Sequence, residues 1–318
     1  MFRQLWQTTM IALARSNRCK RVMQGRRSTS GLARRYVAGD DVMSAVLCAK
    51  RLKAEGIDCS AFYLGEYVDT EDKVRENLDA KRAVIEAFAA NGLDVHVSVD
   101  PTQLGCSIDW DAGCERIERL TDHMSETLQG GAGSHCLMLD MEDFSVTERT
   151  IALHDRLTAQ GRQMALTLQA YLKRSRRDVE AMIGQGATVR LVKGAFVAGP
   201  DIGYVSQGEI KENYRSLIDL MLSSKARKSG FSPVFATHDH RLHAYAIECA
   251  RENGWRQGDY GFEMLYGARD DVARQLAASG EAIRLYLPFG EDWWPYAMRR
   301  IGENPRSLLL LLRGLIGR

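Results

Sequence analysis

The sequence predicts an α/β fold, a (β/α)8 TIM-like barrel with an N-terminal helical extension, and three observations carry that expectation. Short β-rich runs alternate with helical patterns, the alternation occurs eight times after residue 55, and several of the runs are apolar at every position. Strict alternation of strand and helix calls for a parallel sheet, and eight repeats is the number at which such a sheet closes on itself. An open doubly wound sheet is the competing arrangement. Its dinucleotide fingerprint is missing: Gly184 and Gly186 begin a G-x-G, but no third glycine follows in place and no strand precedes it.

In order, the runs are Asp58 to Leu64, Asp94 to Val99, Cys136 to Asp140, Ala165 to Gln169, Val189 to Val192, Val234 to Thr237, Gly261 to Leu265 and Ile283 to Tyr286. A continuous apolar stretch such as Cys136-Leu137-Met138-Leu139 suits a strand buried on both faces, as parallel strands under helices are. The segments between are amphipathic. Tyr214, Leu217, Ile218, Met221 and Leu222 share one helical stripe, and Val74, Leu78, Ile85 and Phe88 share another. Gly130-Gly131-Ala132-Gly133 reads as a loop. Residues 1–55 are expected to form an N-terminal helical segment, with Ser44 to Leu52 closing the barrel floor, and residues 56–318 to form the barrel.

At 318 residues one domain is allowed, since barrels of this kind routinely exceed 200 residues as one unit. With 45% hydrophobic and 26% charged residues the chain can bury a large core. A net charge of +2 argues against nucleic acid as a partner. The seven cysteines form no C-x-x-C pair, which fits a reducing cytosol better than a disulfide scaffold, and metal ligation is not expected. No apolar run approaches the roughly 20 residues of a membrane span; the longest, Leu308 to Leu312, is placed inside a last helix. Nine Arg and Lys residues from Arg3 to Arg35 precede the first acid, Asp40. A solvated helix is the plain reading of that leader, with a membrane-surface helix or a mitochondrial transit peptide as alternatives. The expected location is the cytoplasm, with peripheral contact to an inner membrane as the variant.

Function in such a barrel sits at the C-terminal ends of the strands. Gln169-Ala170-Tyr171 ends the fourth, Arg190 and Lys193 mark the fifth, and Thr237-His238-Asp239 ends the sixth. Glu263 lies in the seventh, and Arg284 and Tyr286 in the eighth. Charges inside buried strands are costly unless paired, so these residues need partners or a ligand. They could neutralise one another in layers, for example Arg284 against Glu263. His238, just past a strand tip, is expected to meet a ligand rather than fill the core.

Here the chain resembles the proline dehydrogenases. The likeness rests on Arg190-Leu191-Val192-Lys193-Gly194-Ala195, Ala236-Thr237-His238, Phe262-Glu263-Met264-Leu265-Tyr266-Gly267 and Arg299-Arg300-x-x-Glu303-Asn304. It extends to Arg35-Tyr36-Val37-Ala38-Gly39 and Leu64-Gly65-Glu66, and so runs in order along almost the whole chain. The resemblance implies a barrel that binds FAD without covalent attachment, with Gln169, Arg190, Lys193, Gly194, Ala195, Thr237 and His238 at the cofactor. It implies that Arg299 and Arg300 grip a substrate carboxylate, which suits the forked guanidinium. Glu303 would pair with one of them, and Tyr286 would pack on the substrate ring. Arg190, Lys193 and Tyr286 are the expected catalytic residues. The implied reaction moves a hydride from the ring carbon beside nitrogen of L-proline, or of a proline derivative, to the flavin, leaving a cyclic imine. A quinone or another acceptor would then take the electrons.

Three positions depart from the family pattern. Asp100 stands in Asp100-Pro101-Thr102-Gln103-Leu104-Gly105 where a lysine is usual, Phe62 stands for an aspartate, and Phe196 for a tyrosine. All three are expected at the substrate site. Either Asp100 turns towards Arg299 or Arg300 and retunes the site, or the enzyme takes a modified proline whose carboxylate is masked or accompanied by a cation. A Schiff-base lyase using Lys193 and a catalytically degenerate ligand-binding barrel are the alternatives in other classes.

Overall fold

The structure is a computed structural model, and it describes residues 35–65, 68–196 and 198–303; on 299 and 301–303 the side chains are outside the description. Most of the basic leader, Glu66, Asn304 and the run from Leu308 to Leu312 lie outside the described residues.

The eight strands run parallel and pair in chain order: β1 (Asp58–Tyr63), β2 (His96–Val99), β3 (Cys136–Leu139), β4 (Met164–Gln169), β5 (Thr188–Val192), β6 (Ser232–Ala236), β7 (Gly261–Leu265) and β8 (Ile283–Phe289). The circle closes where β8 pairs with β1, from Asp58 with Arg284 to Tyr63 with Phe289. All eight predicted runs are strands. β2 and β4 are buried at every residue, because helices cover the outer face while side chains fill the inner one.

Helices form the outer wall, and local sequence starts and stops them. α2 (Glu71–Ala90) begins where the Thr70 hydroxyl accepts from the Lys73 N–H, with Glu71 and Asp72 beside the positive helix end. α6 (Gln207–Met221) begins with a reciprocal Ser206 and Glu209 capping box. α5 (Ser175–Gln185) ends on Gly186 at φ 67°, a left-handed conformation that glycine adopts without strain. The stripe Tyr214, Leu217, Ile218, Met221 and Leu222 is buried throughout, and each such side chain is worth roughly 1.5–3 kcal/mol. The remaining wall helices are α3 (Trp110–Leu128), α4 (Thr147–Ala159), the short α7 (Ser224–Lys228), α8 (His240–Glu252) and α9 (Asp270–Ala278).

One expectation fails in position. α1 (Val42–Ala54) does not close the floor. Its buried Ala45, Val46, Cys48, Ala49 and Leu52 pack against β1, β8 and α2, so it stands in the wall between the last strand and the first. That is the place the helix after β8 would fill. α10 (Trp293–Glu303) instead lies near the mouth, where Tyr296 is felt by the Tyr286 phenol and Arg300 by the His238 ring. The reason is combinatorial: an apolar stripe says that a helix is covered, not which strands cover it.

Candidate active site

Arg190 crosses the barrel interior just under the C-terminal mouth, and barrel residues take up its donors. Nε and Nη2 donate to the Thr167 hydroxyl at 3.1 and 2.9 Å, and Nη1 reaches Ser98 Oγ at 3.3 Å and Glu263 Oε1 at 2.8 Å. Nη2 also pairs with Asp140 Oδ1. Tyr286 completes the group: its hydroxyl donates to Asp140 Oδ2 at 2.8 Å, and its ring lies 5.3 Å from the Arg190 guanidinium carbon. Burial first, and then the charge of Asp100, push the Tyr286 phenol far above its ordinary value, so it stays a donor. One cation thus meets two carboxylates in the buried interior, with Glu263 Oε2 left without a hydrogen-bond partner among the described residues.

The pair of Arg284 with Glu263 considered from sequence is not made. The two are register partners, yet Arg284 runs to Cys59 O at 2.6 Å and Asp94 Oδ2 at 3.0 Å. Glu263 turns across the barrel to Arg190. Pairing register places Cα atoms, whereas a long side chain ends where the nearest uncompensated charge lies.

The β2–β3 side of the mouth is acidic. Asp100 precedes the tight turn Pro101–Leu104. Glu142, two residues beyond Asp140, accepts from the Thr102 N–H at 3.1 Å and from the Thr102 hydroxyl. Burial and then Asp100 push the Glu142 carboxyl up to about 7. Beneath them Lys81 of α2 is fully buried, donating to Ser98 O at 3.1 Å and Gln103 Oε1 at 2.8 Å. Burial lowers this ammonium to about 8, against the pull of Asp100. It also stands 5.6 Å from the ring of Phe62, which packs on Tyr286 at 5.0 Å. Asp140, Glu142 and Lys81 were not singled out from sequence. The signals were there: Asp140, Glu142 and Asp143 fall within four residues after the apolar β3 run, and Lys81 falls seven residues after Val74 on the α2 stripe, where a charge must be buried.

The β5–β6 side is cationic. Gln169, at the end of β4, donates to Glu142 O at 2.8 Å and so ties the two sides together. Lys193 and Gly194 follow β5, and Lys193 is half-buried with no ion pair among the described residues. Gly194 has φ 96°, and a Cβ there would run into the Tyr171 ring. Ala195 follows it at the surface. Thr237 is held by the Asp239 N–H at 3.2 Å, and its carbonyl meets His243 Nε2 at 2.8 Å. His238 is neutral, lowered to about 4 by burial and then by Arg300, His243, Arg269 and Lys193. His238 Nδ1 and the Tyr171 hydroxyl are buried without a partner among the described residues. Unsatisfied buried polar atoms beside a cationic lining suit a bound polar, anionic group.

Arg300 lies over the Tyr296 ring at 5.3 Å, while the side chains of Arg299 and Glu303 lie outside the described residues. Phe196 does not join Phe62 and Tyr286; it is 44% exposed in the loop after β5. The mouth therefore has an acidic wall and a cationic wall, with aromatic rings and Arg190 at its base.

A closed parallel barrel with its buried charges gathered under the strand tips defines the class: an enzyme whose chemistry lies at the C-terminal face. Residues 45–308 match the proline dehydrogenase family model, and the chain belongs to that family. It is 30% identical to proline dehydrogenase 2 of Bacillus subtilis over 89% of this chain and 90% of that one. It is also 30% identical to the proline dehydrogenase of Deinococcus radiodurans over 99% of both chains. Among solved structures, proline utilization A from Bdellovibrio bacteriovorus inactivated by N-propargylglycine aligns with a TM-score of 0.75 at 24% identity, over 87% of this chain. This chain spans a third (33%) of that longer protein, and the likeness bears on the fold.

Proposed function

We propose that this protein oxidises the ring carbon beside nitrogen in L-proline or a close relative, using non-covalent FAD and leaving a cyclic imine. The observation that carries the reading is the two-walled mouth over Arg190, Asp140, Tyr286 and Glu263, in a chain of this family. Proline dehydrogenases are flavoenzymes in general, and a bound flavin supplies the two-electron acceptor that side chains lack.

The residues present fit such a group. Gly194 lets the Tyr171 ring pack against the loop after β5, His238 and Tyr171 offer buried atoms unsatisfied among the described residues, and Lys193 and Arg269 make that wall attractive to the phosphates of a dinucleotide. Gln169, Ala195 and Thr237 line the same side in this assignment. Arg190, its donors engaged by Thr167, Ser98, Asp140 and Glu263, fixes those side chains at the base of the site. Arg299 and Arg300 hold the substrate carboxylate, Glu303 orients one of them, and Tyr286 with Phe62 forms the wall for the ring. The ring-nitrogen proton must leave before hydride transfer, which the acidic wall of Asp100 and Glu142 favours. The electrons then pass to a quinone or another acceptor. Lys193 as a Schiff-base lysine is not favoured by this family.

The test is the colour of the purified protein and its response to substrate. A flavin spectrum that bleaches on anaerobic addition of L-proline or a ring analogue is expected, with a cyclic imine as product. A folded, colourless protein that takes up no FAD would sink the cofactor assignment. A yellow protein that no cyclic amine reduces would sink the reaction.

A further inference from the structure

Two thiols outside the mouth are brought together by the turn after β2. Gly105, at φ 93°, ends the turn Pro101–Leu104, and the Cys106 N–H donates back to Pro101 O at 3.1 Å. This sets the Cys106 side chain against the first turn of α3. Its Sγ lies 3.9 Å from Trp110 O, the carbonyl four residues before Cys114 and thus that residue's helical hydrogen-bond acceptor. The approach requires Gly113, because a Cβ at that position would overlap Cys106 Sγ. Cys106 Sγ, donating to Trp110 O, thus sits against the backbone of the residue next to Cys114, which makes the two thiols neighbours.

The pair is chemically polarised. Cys114 is held below the ordinary thiol value, first by the neighbouring Cys106 thiol, against burial, with Arg156 and Arg149 helping and Asp111 opposing. Cys106 is raised by its partner, by burial and by Glu142, with Arg116 opposing. The other free cysteines of the described residues, Cys48, Cys59, Cys136 and Cys249, are all raised, burial first. Thiolate character decides which cysteine reacts, and a neighbouring thiol decides whether the oxidised sulfur is captured as a disulfide. Cys106 and Cys114 each keep 7% exposure, which suits a small oxidant.

We propose that Cys106 and Cys114 form a redox modification site, in which a hydroperoxide oxidises Cys114 and Cys106 resolves it to a disulfide. The Cys114 thiolate attacks one peroxide oxygen, the O–O bond breaks, and the departing oxygen leaves as water or alcohol after taking a proton. Cys114 is then a sulfenic acid. The Cys106 sulfur attacks the Cys114 sulfur, the S–S bond forms, the S–O bond breaks, and the Cys106 proton leaves with the hydroxide as water. The two sulfurs together lose two electrons, and the peroxide gains them. The bond would tie α3 to the turn whose Thr102 clamps Glu142.

The experiment treats the full chain with hydrogen peroxide in the presence of a sulfenic-acid trap and maps cysteines by mass after tryptic digestion. No Lys or Arg lies between Cys106 and Cys114, so both fall in one peptide. Loss of two hydrogens from that peptide is expected, reversed by a thiol reductant. Cys106→Ser should instead accumulate the trapped sulfenic acid at Cys114, and Cys114→Ser should yield neither product. The proposal is overturned if both cysteines stay reduced while Cys48, Cys136 or Cys249 oxidises. It is equally overturned if Cys106→Ser shows no trap at Cys114.

Discussion

Glu142→Gln should stabilise the protein at pH 8 and leave it unchanged in acid. In the folded chain this carboxyl titrates near 7, against an ordinary value of 4.5. Below 4.5 both states hold the proton and the residue contributes no slope. Between 4.5 and about 7 the unfolded chain releases its proton while the folded chain keeps it, so stability falls as pH rises. At about 1.4 kcal/mol per tenfold change in the equilibrium, the full window is worth on the order of 3 kcal/mol. Glutamine removes that slope and keeps the clamp, since its carbonyl can accept from the Thr102 N–H and its amide can donate to the Thr102 hydroxyl.

Two other shifted groups make the wild-type curve hard to read alone. His238, lowered to about 4, adds stability as pH rises towards 6.5, and Lys81, lowered to about 8, does so only between about 8 and 10.5. Variant minus wild type cancels both. Urea unfolding followed by circular dichroism at pH 5 and pH 8 measures that difference. We expect at most a small gain at pH 5, growing to about 2–3 kcal/mol at pH 8. An equal difference at both pH values, or a variant weaker than wild type at pH 8, would refute the reasoning.

Asp100→Asn removes the second cause that holds Glu142 up and the charge that supports Lys81, so the upper end of the Glu142 window should move down; a window still ending near 7 would be the contrary result. Arg190→Met leaves Asp140 and Glu263 facing each other without their cation and should cost about 3–5 kcal/mol in urea unfolding; a loss below about 1 kcal/mol would contradict the buried pairing. Gly194→Ala forces a left-handed backbone on alanine and a clash with Tyr171, so the purified protein should lose most of its flavin while staying folded; full flavin occupancy would count against the cofactor wall.

The barrel was legible because its signals are local and repeat. Eight strands stand where eight runs stood, and the α6 stripe is buried as its spacing required. That α1 takes the wall place of the helix after β8 while α10 moves to the mouth was not legible, because their apolar faces specify burial without a partner. β8 continues to Phe289, three residues beyond the predicted run, because its pairing with β1 persists to Tyr63. Pro288 does not stop it: its missing N–H costs nothing where no donor is demanded.

The candidate site divides along a similar line. Residues placed by the strand tips alone, Gln169, Arg190, Lys193, Thr237, His238 and Tyr286, were readable, since a strand end fixes a position at the mouth. What they bond to was not, and Glu263 shows why: its partner is chosen across the barrel, outside any local pattern. The same holds for the departures at 62 and 100. Sequence marks Phe62 and Asp100 as odd residues on two neighbouring strand ends. Only the packed structure brings a third element to them, the Lys81 ammonium of α2, within reach of both the Phe62 ring and the Asp100 charge. An unpaired ammonium in that interior would be strongly disfavoured, so its carbonyl and amide acceptors and the nearby carboxylate are what allow it to stay. Changes at 62, 81 and 100 are therefore coupled, and their effects on stability should fail to add.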